Sequence, residues 1–236
     1  MKAYKRKTML TFFVNIGIIL IIVFVGTVSF VSGGFKPMAG SEYSAIYSGN
    51  RAGSNVALMF NVYERTDNVR KILQILKDNN AKATFFVGGC WADDNTECLK
   101  EIVGSGHELA NHGYFHKDHK KLDYASNKEE IQLTERICYA LTGVKTKLFA
   151  PPSGSFSATT LKVAVELDYK VIMWSKDTID WRDNDSNLIF KRATENVAGG
   201  DFILMHPKDV TVLTLDRILK YYTEIGLKGA TVTQTI

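Results

Sequence analysis

The chain has 236 residues, 45% of them hydrophobic, which leaves room for one sizeable catalytic domain and an accessory segment. Its formal charge of +4 belongs to its beginning: Lys2, Lys5, Arg6 and Lys7 are four of the 29 cations, and the other 25 balance the 25 acids. The remainder is formally neutral, and nothing in it argues for binding nucleic acid.

In chain order, residues 1–8 read as a basic cytoplasmic tail. Residues 9–31 form an apolar run without an acid, long enough to cross a bilayer. Residues 29–33 offer only a weak small-residue cleavage site, so the run reads as an uncleaved signal anchor rather than a signal peptide. The cations ahead of it keep the N-terminus in the cytoplasm. The expectation is a single-pass protein of the cell membrane with its folded part outside. Residues 32–54, rich in Gly and Ser, read as a linker, and 55–236 as the domain.

Within the domain, short apolar runs at 56–60, 83–87, 108–110, 147–149, 170–174, 201–205 and 230–233 read as strands. Helical periodicity marks 68–77, where Val69, Ile72, Leu73 and Leu76 share a face. Ser126 with Glu129 forms a capping-box pattern for a helix running to Leu141. Further helices fit 159–167, 187–196 and 213–223. Cys90, Cys98 and Cys138 are too few for a disulfide framework; Cys90 and Cys98 could pair across residues 91–97, three free thiols being the simpler reading.

Seven strands alternating with helices imply a parallel β/α architecture. Asn61, His112, the Pro151-Pro152 turn, Asp177 with Asp180, and His206 each follow closely after a strand. Polar groups delivered by several strands to one rim favour a β/α barrel over an open doubly wound sheet.

Histidine placement carries the chemistry. Of five histidines, four lie between His107 and His119, and His206 ends the apolar run before Pro207. His112 and His116, four apart, would share a face on a helical turn and could reach one metal; the alternative is a solvated polar loop. His119, after Lys117-Asp118, reads as surface, and His107 as closing the turn into its strand. His206 at a rim can act as general acid if a partner such as Asp180 fixes its tautomer; the alternative is that Asp177 and Asp180 cap a loop. The Ser153 N–H of Pro151-Pro152-Ser153-Gly154 is a candidate oxyanion donor, against a plain structural turn.

Taken in order, these pieces resemble the polysaccharide deacetylase family (carbohydrate esterase family four) over about residues 55–236. His112 and His116 match the family's His-Ser/Thr-x-x-His motif, with Gly113 at the hydroxyl position. Asp177 to Trp181 is similar to Asp-x-x-Asp-Trp, Leu204-Met205-His206 to Leu-x-His, and Ala81 to Val87 with Gly106-His107-Glu108 to the family framework. The resemblance implies a deformed seven-stranded β/α barrel preceded here by one transmembrane helix. It also implies a divalent metal, zinc above others, and hydrolysis of N-acetyl groups from peptidoglycan or chitin-like sugars. On that pattern His206 is the acid, Asp180 its partner, His112 and His116 metal ligands, and Ser153, Trp181 and Leu204 substrate contacts.

Two motifs depart from it. Asn61 stands at the place of the catalytic base, Val62 at the third metal ligand, and Ala150 at the arginine that pairs with the missing aspartate. Their charges are lost together, so no buried arginine is left uncompensated. Two readings follow: a divergent deacetylase, with Asn61 oxygen or water completing the metal shell and Glu64, Asp67 or Asp180 as base, or a surface glycan-binding module with weak or no catalysis. The oligomeric state leaves no mark on the sequence.

Overall fold

Strand β1, Asn55–Val62, explains the architecture, because its alternate side chains enter two different cores. Ala57 and Met59 join Phe86, Ala110, Leu148, Ala150, Ile172 and Phe202 inside the curled sheet. Val56, Leu58, Phe60 and Val62 face the other way, into a layer shared with the helices. Apolar side chains on both faces are what a parallel strand covered on both sides requires. The computed structural model describes residues 43–236 and, before them, Ile16.

The strands that follow are β2 Thr84–Val87, β3 Glu108–Asn111, β4 Leu148–Phe149, β5 Lys170–Val171, β6 Lys176–Asp177, β7 Phe202–Met205 and β8 Lys228–Ala230. Seven lie in the order β5-β4-β3-β2-β1-β7-β6, all parallel, and β8 pairs with the start of β1. In register, Phe60 lies beside Phe85 of β2 and Met205 of β7. The sheet curls as the seven-stranded barrel expectation requires but stays open between its edge strands β5 and β6.

Residues near the start of the described chain sit across that opening. Ile46 bridges to Ile172 and Ser48 to Asp201, and the Asn50 N–H donates to the Thr235 carbonyl at 2.8 Å. This stretch was expected to be linker; its backbone is instead paired with the domain, using partners more than a hundred residues away that no local pattern can announce.

The helices are α1 Thr66–Asp78, α2 Gly89–Asp94, α3 Thr96–Gly104, α4 Tyr124–Thr142, α5 Ala158–Glu166, α6 Ser186–Thr194, α7 Asp209–Glu224 and α8 Val232–Thr235. Helix α1 buries Val69, Ile72, Leu73 and Leu76 as its periodicity predicts. Three local expectations are corrected. Helix α4 is capped by Asp123, whose carboxylate accepts the Ser126 N–H at 2.8 Å, so Ser126 is inside the helix rather than before it. Residues 232–233, expected as the end of a strand over 230–233, are helical because Thr231 and Gln234 form a reciprocal capping box. The loop expected at 91–97 is mostly helix, with Cys90 exposed and Cys98 buried as free thiols.

The basic tail, the anchor apart from Ile16, and residues 32–42 of the linker lie outside the described residues. Among the described residues, no helix is long and apolar enough to cross a membrane.

Candidate functional site

Above the inner core, at the C-terminal ends of the strands, lies a cavity of about 300 Å³. Asn61 and Leu204 are the next inward positions after Met59 and Phe202, so the same alternation that builds the core carries them to its wall. His112 and His116 enter from the loop after β3, Ser153 from the turn after β4, Trp181 from the segment after β6, and His206 directly after β7. Seven of the ten sequence-selected residues therefore meet in one place.

The other three lie around it. Asp180 stands behind His206, Ala150 lies in the inner core with its carbonyl turned to His112, and Val62 is fully buried among the helices on the opposite face of β1. Three wall residues were not selected as site residues: Tyr63, Trp174 and Asp177. Period-two alternation from Asn61 signals Tyr63 and equally signals that Val62 points away.

The His206 side is closely held. Asp180 is 2% exposed and accepts the His206 ring Nδ1–H at 2.8 Å, the His206 backbone N–H at 2.6 Å and the Thr211 hydroxyl at 2.5 Å. Both carboxylate oxygens are thus occupied, and Nε2 is the ring nitrogen left to exchange a proton. Arg192 of α6 secures the same segment by donating to the Thr178 carbonyl at 2.9 Å and pairing with Asp183 at 2.7 Å.

The imidazole pair sits on an irregular loop, not on the helical turn its spacing suggested. Gly113 and His116 have φ of 74° and 55°, in the left-handed region. Two supports hold the loop. Glu130, buried in α4, accepts the Tyr114 and Phe115 N–H groups at 2.9 and 2.8 Å and pairs with Lys117 at 3.0 Å. At the start of α2, Gly89 and Cys90 donate N–H groups to the Gly113 and Tyr114 carbonyls. A Cβ on Gly89 would fall 2.3 Å from the Tyr114 ring, which is why the position is glycine.

His112 Nδ1–H donates to the Ala150 carbonyl at 2.7 Å, which leaves Nε2 with its lone pair. Burial, and secondarily the neighbouring His116, push the His112 pKa well below its ordinary value; burial lowers His116 as well. Both rings are neutral at neutral pH. His119, expected at the surface, is fully buried: its Nδ1 meets Asn127 of α4 at 2.8 Å, and burial lowers its pKa.

A metal would need these donors. The His112 and His116 ring centroids are 5.1 Å apart, close to the roughly 5 Å that two imidazoles on one zinc would show. The donor set stops there. Among the described residues no three His, Cys, Asp or Glu are grouped to hold a cation. The Asn61 oxygen, buried without a hydrogen-bond partner, is a neutral amide, and the Tyr63 ring lies 4.2 Å from that of His116. The residues do not fit a catalytic zinc site with three protein ligands. The replacement bases considered are also placed: Glu64 pairs with Lys208, Asp67 is exposed on the first turn of α1, and Asp180 is committed to His206.

A parallel β/α sheet brings a rim histidine–aspartate pair and two neutral imidazoles to one cavity, a scaffold suited to acid–base chemistry. A polysaccharide deacetylase sequence profile matches residues 48–172, more than half of the chain, which therefore belongs to that family. The chain is 36% identical over 189 residues to the uncharacterized protein YlxY of Bacillus subtilis, covering 80% of this chain but 59% of that protein's length. It is 32% identical over 201 residues to a peptidoglycan-N-acetylglucosamine deacetylase of Bacillus cereus, covering 84% of this chain and 73% of the relative. Among solved structures it is similar to a CE4 family pseudoenzyme from Bacillus anthracis, with TM-score 0.79 and 35% identity over 81% of this chain and 68% of that one. A mutant of that pseudoenzyme, described as having restored enzymatic activity, matches with TM-score 0.79 and 33% identity over 81% of this chain and 71% of that one.

Proposed function

We propose that the chain binds N-acetylated glycan of the bacterial cell envelope in this cavity, on a deacetylase scaffold whose hydrolytic rate is low. One observation carries the reading. The proton-donating half of the rim keeps every hydrogen bond, whereas Asp177 is the single carboxylate on the cavity wall among the described residues, and its Oδ1 already accepts the Ile179 N–H at 2.8 Å. Loss of a general base typically costs about 10²–10⁴ in rate. The wall suits a sugar: Tyr63, Trp174 and Trp181 offer apolar ring faces, and His206, Asn61 and Ser153 offer polar contacts. The names of the Bacillus cereus and Bacillus anthracis relatives support a peptidoglycan-type ligand and an attenuated site respectively.

A second reading, metal-dependent hydrolysis of the acetamide, is favoured by the neutral, suitably spaced His112 and His116. There the Asn61 oxygen or water would complete the donor set around zinc or a similar ion. Titration of the purified chain with chitooligosaccharides and peptidoglycan fragments, together with assays for metal content and acetate release, separates the two. Binding without release, unchanged by a chelator, supports the first. Metal-dependent release that disappears in His206→Ala supports the second. Failure of every N-acetylated glycan to bind or react removes both.

The residue pattern of 1–31 adds a location to the proposal: a single-pass anchor in the cell membrane with the domain outside. Recovery of the protein in a salt-washed membrane fraction, cleavable by protease added to protoplasts, is the expected result; a cytosolic protein would refute it.

A further inference from the structure

At the opposite end of the sheet from His206, where β3, β4 and β5 begin, lies a larger cavity, of about 670 Å³. Pockets of that size hold a whole small molecule rather than one ion. Leu109, Leu148 and Val165 give it an apolar wall, and Lys145, Lys147 and Lys170 stand exposed around it.

Its polar groups are donors in excess. Asp168 is paired with Lys147 at 2.6 Å, and Glu108 accepts the Thr84 hydroxyl at 2.5 Å and the Thr233 N–H at 3.2 Å. Among the described residues, neither Lys145 nor Lys170 has a carboxylate at ion-pair distance; the Lys145 ammonium lies 5.6 Å over the Tyr139 ring. Lys82, beside Gly106, adds a fourth ammonium next to His107 and donates to the Ser105 carbonyl at 2.6 Å. Four ammonium groups against two carboxylates leave a surplus of two positive charges.

His107 supplies a different donor. It is 8% exposed, and its Nδ1 accepts the Ala83 N–H at 3.3 Å. Burial and the neighbouring Lys82 hold its pKa down to about 4, so the ring is neutral and Nε2 carries the proton. That N–H has no partner among the described residues and, unlike the sealed His119 Nε2, is not closed off from the cavity His107 lines. The surrounding turns are fixed in advance. Thr146, buried between Lys145 and Lys147, has its hydroxyl 2.5 Å from that of Tyr169, which also accepts from Asn111 at 3.2 Å.

We propose that this cavity is a second binding site, for a phosphate monoester. The phosphate lies among Lys145, Lys170 and the His107 Nε2–H, and its organic part lies along Leu109, Leu148 and Val165. A phosphate dianion matches the surplus charge and offers three acceptor oxygens, where a carboxylate would leave one charge uncompensated. The site is at the far end of the strands from the glycan cavity and does not depend on the glycan reading.

Calorimetric titration of the purified full chain with phenyl phosphate, inorganic phosphate and acetate near neutral pH tests this. Phenyl phosphate should bind on the order of tenfold more tightly than inorganic phosphate, the scale of one partly buried ring, and acetate more weakly than either. Lys145→Ala and Lys170→Ala should each weaken phenyl phosphate on the order of fivefold, and Lys220→Ala, on α7 outside the cavity, should change nothing. All three lysines are exposed, and thermal melting of each variant would verify that the fold is intact. The His107 ring signals in NMR spectra should shift as phenyl phosphate is added. Absence of phenyl phosphate binding, acetate binding as tight, an equal loss in Lys220→Ala, or unmoved His107 signals overturns the proposal. Equal affinity for inorganic and phenyl phosphate overturns the ester and leaves phosphate itself as the occupant.

Discussion

Two sides of one rim have had different fates. On the side of β7, Asp180 still holds His206 by its ring and its backbone, and Thr211 completes the arrangement. On the side of β1, Asn61 carries a buried oxygen without a partner, Val62 lies in the layer under the helices, and Ala150 contributes only its carbonyl. The contrast follows from what a partial loss would cost. Removing one member of a buried charged network strands the others, whereas removing all charged members together leaves an apolar wall that packs. The parts of the β7 network depend on each other, whereas the β1 side holds no charge that needs a partner.

The largest test of that contrast is Val62→Asp. A carboxylate placed singly among Phe60, Val87 and Trp91 should cost about 4 kcal/mol in urea unfolding. Added zinc that raises the unfolding midpoint would mean the new side chain has turned into the cavity to join His112 and His116. An unchanged midpoint without metal would show that Val62 is not packed as described.

Next in size is an acid response set outside the rim. Burial, and secondarily Lys82, lower the His107 pKa to about 4, and the neutral ring accepts the Ala83 N–H at 3.3 Å. The folded value lies below the unfolded value of about 6.5, so between those pH values the unfolded chain binds more protons and stability falls as pH falls. The His107 contribution is complete above pH 6.5 and lost by pH 4, about 3 kcal/mol in all. His107→Gln should flatten that part of the stability–pH curve; an equally steep curve would contradict it.

Asp180→Asn comes third. An amide has one acceptor oxygen where three donors now converge, so the variant should lose about 2 kcal/mol and whatever acetate release the wild type shows. Release that survives undiminished would mean the β7 side is structural only. The smallest effect belongs to Gly89→Ala. Its Cβ must displace the Tyr114 ring, costing about 1–2 kcal/mol and loosening glycan affinity through the imidazole loop. Unaltered affinity would show that the loop is held from elsewhere.

Much of the site was legible because its residues follow strands: His112, His206, Asn61 and Leu204 stand where an apolar run ends, and such positions converge in a β/α fold. Tyr63 was legible through alternation, two residues past Asn61 on the same face, although the motif resemblance runs through Val62. His119 was not. It follows two charged residues and looks solvated, yet Asn127 from the next helix draws it inside. Nor was the bridging of Ile46 and Ser48, whose partners are Ile172 and Asp201.

By itself the amino-acid order determined the alternation of strands and helices and the family, because periodicity is local and motifs are read in line. Tertiary structure alone decided which face of β1 meets the cavity, that Tyr63 stands against His116, and that among the described residues no third ligand completes the pair. Those outcomes depend on which side of a curled sheet each side chain meets, and on contacts between segments far apart along the chain, which no local pattern encodes.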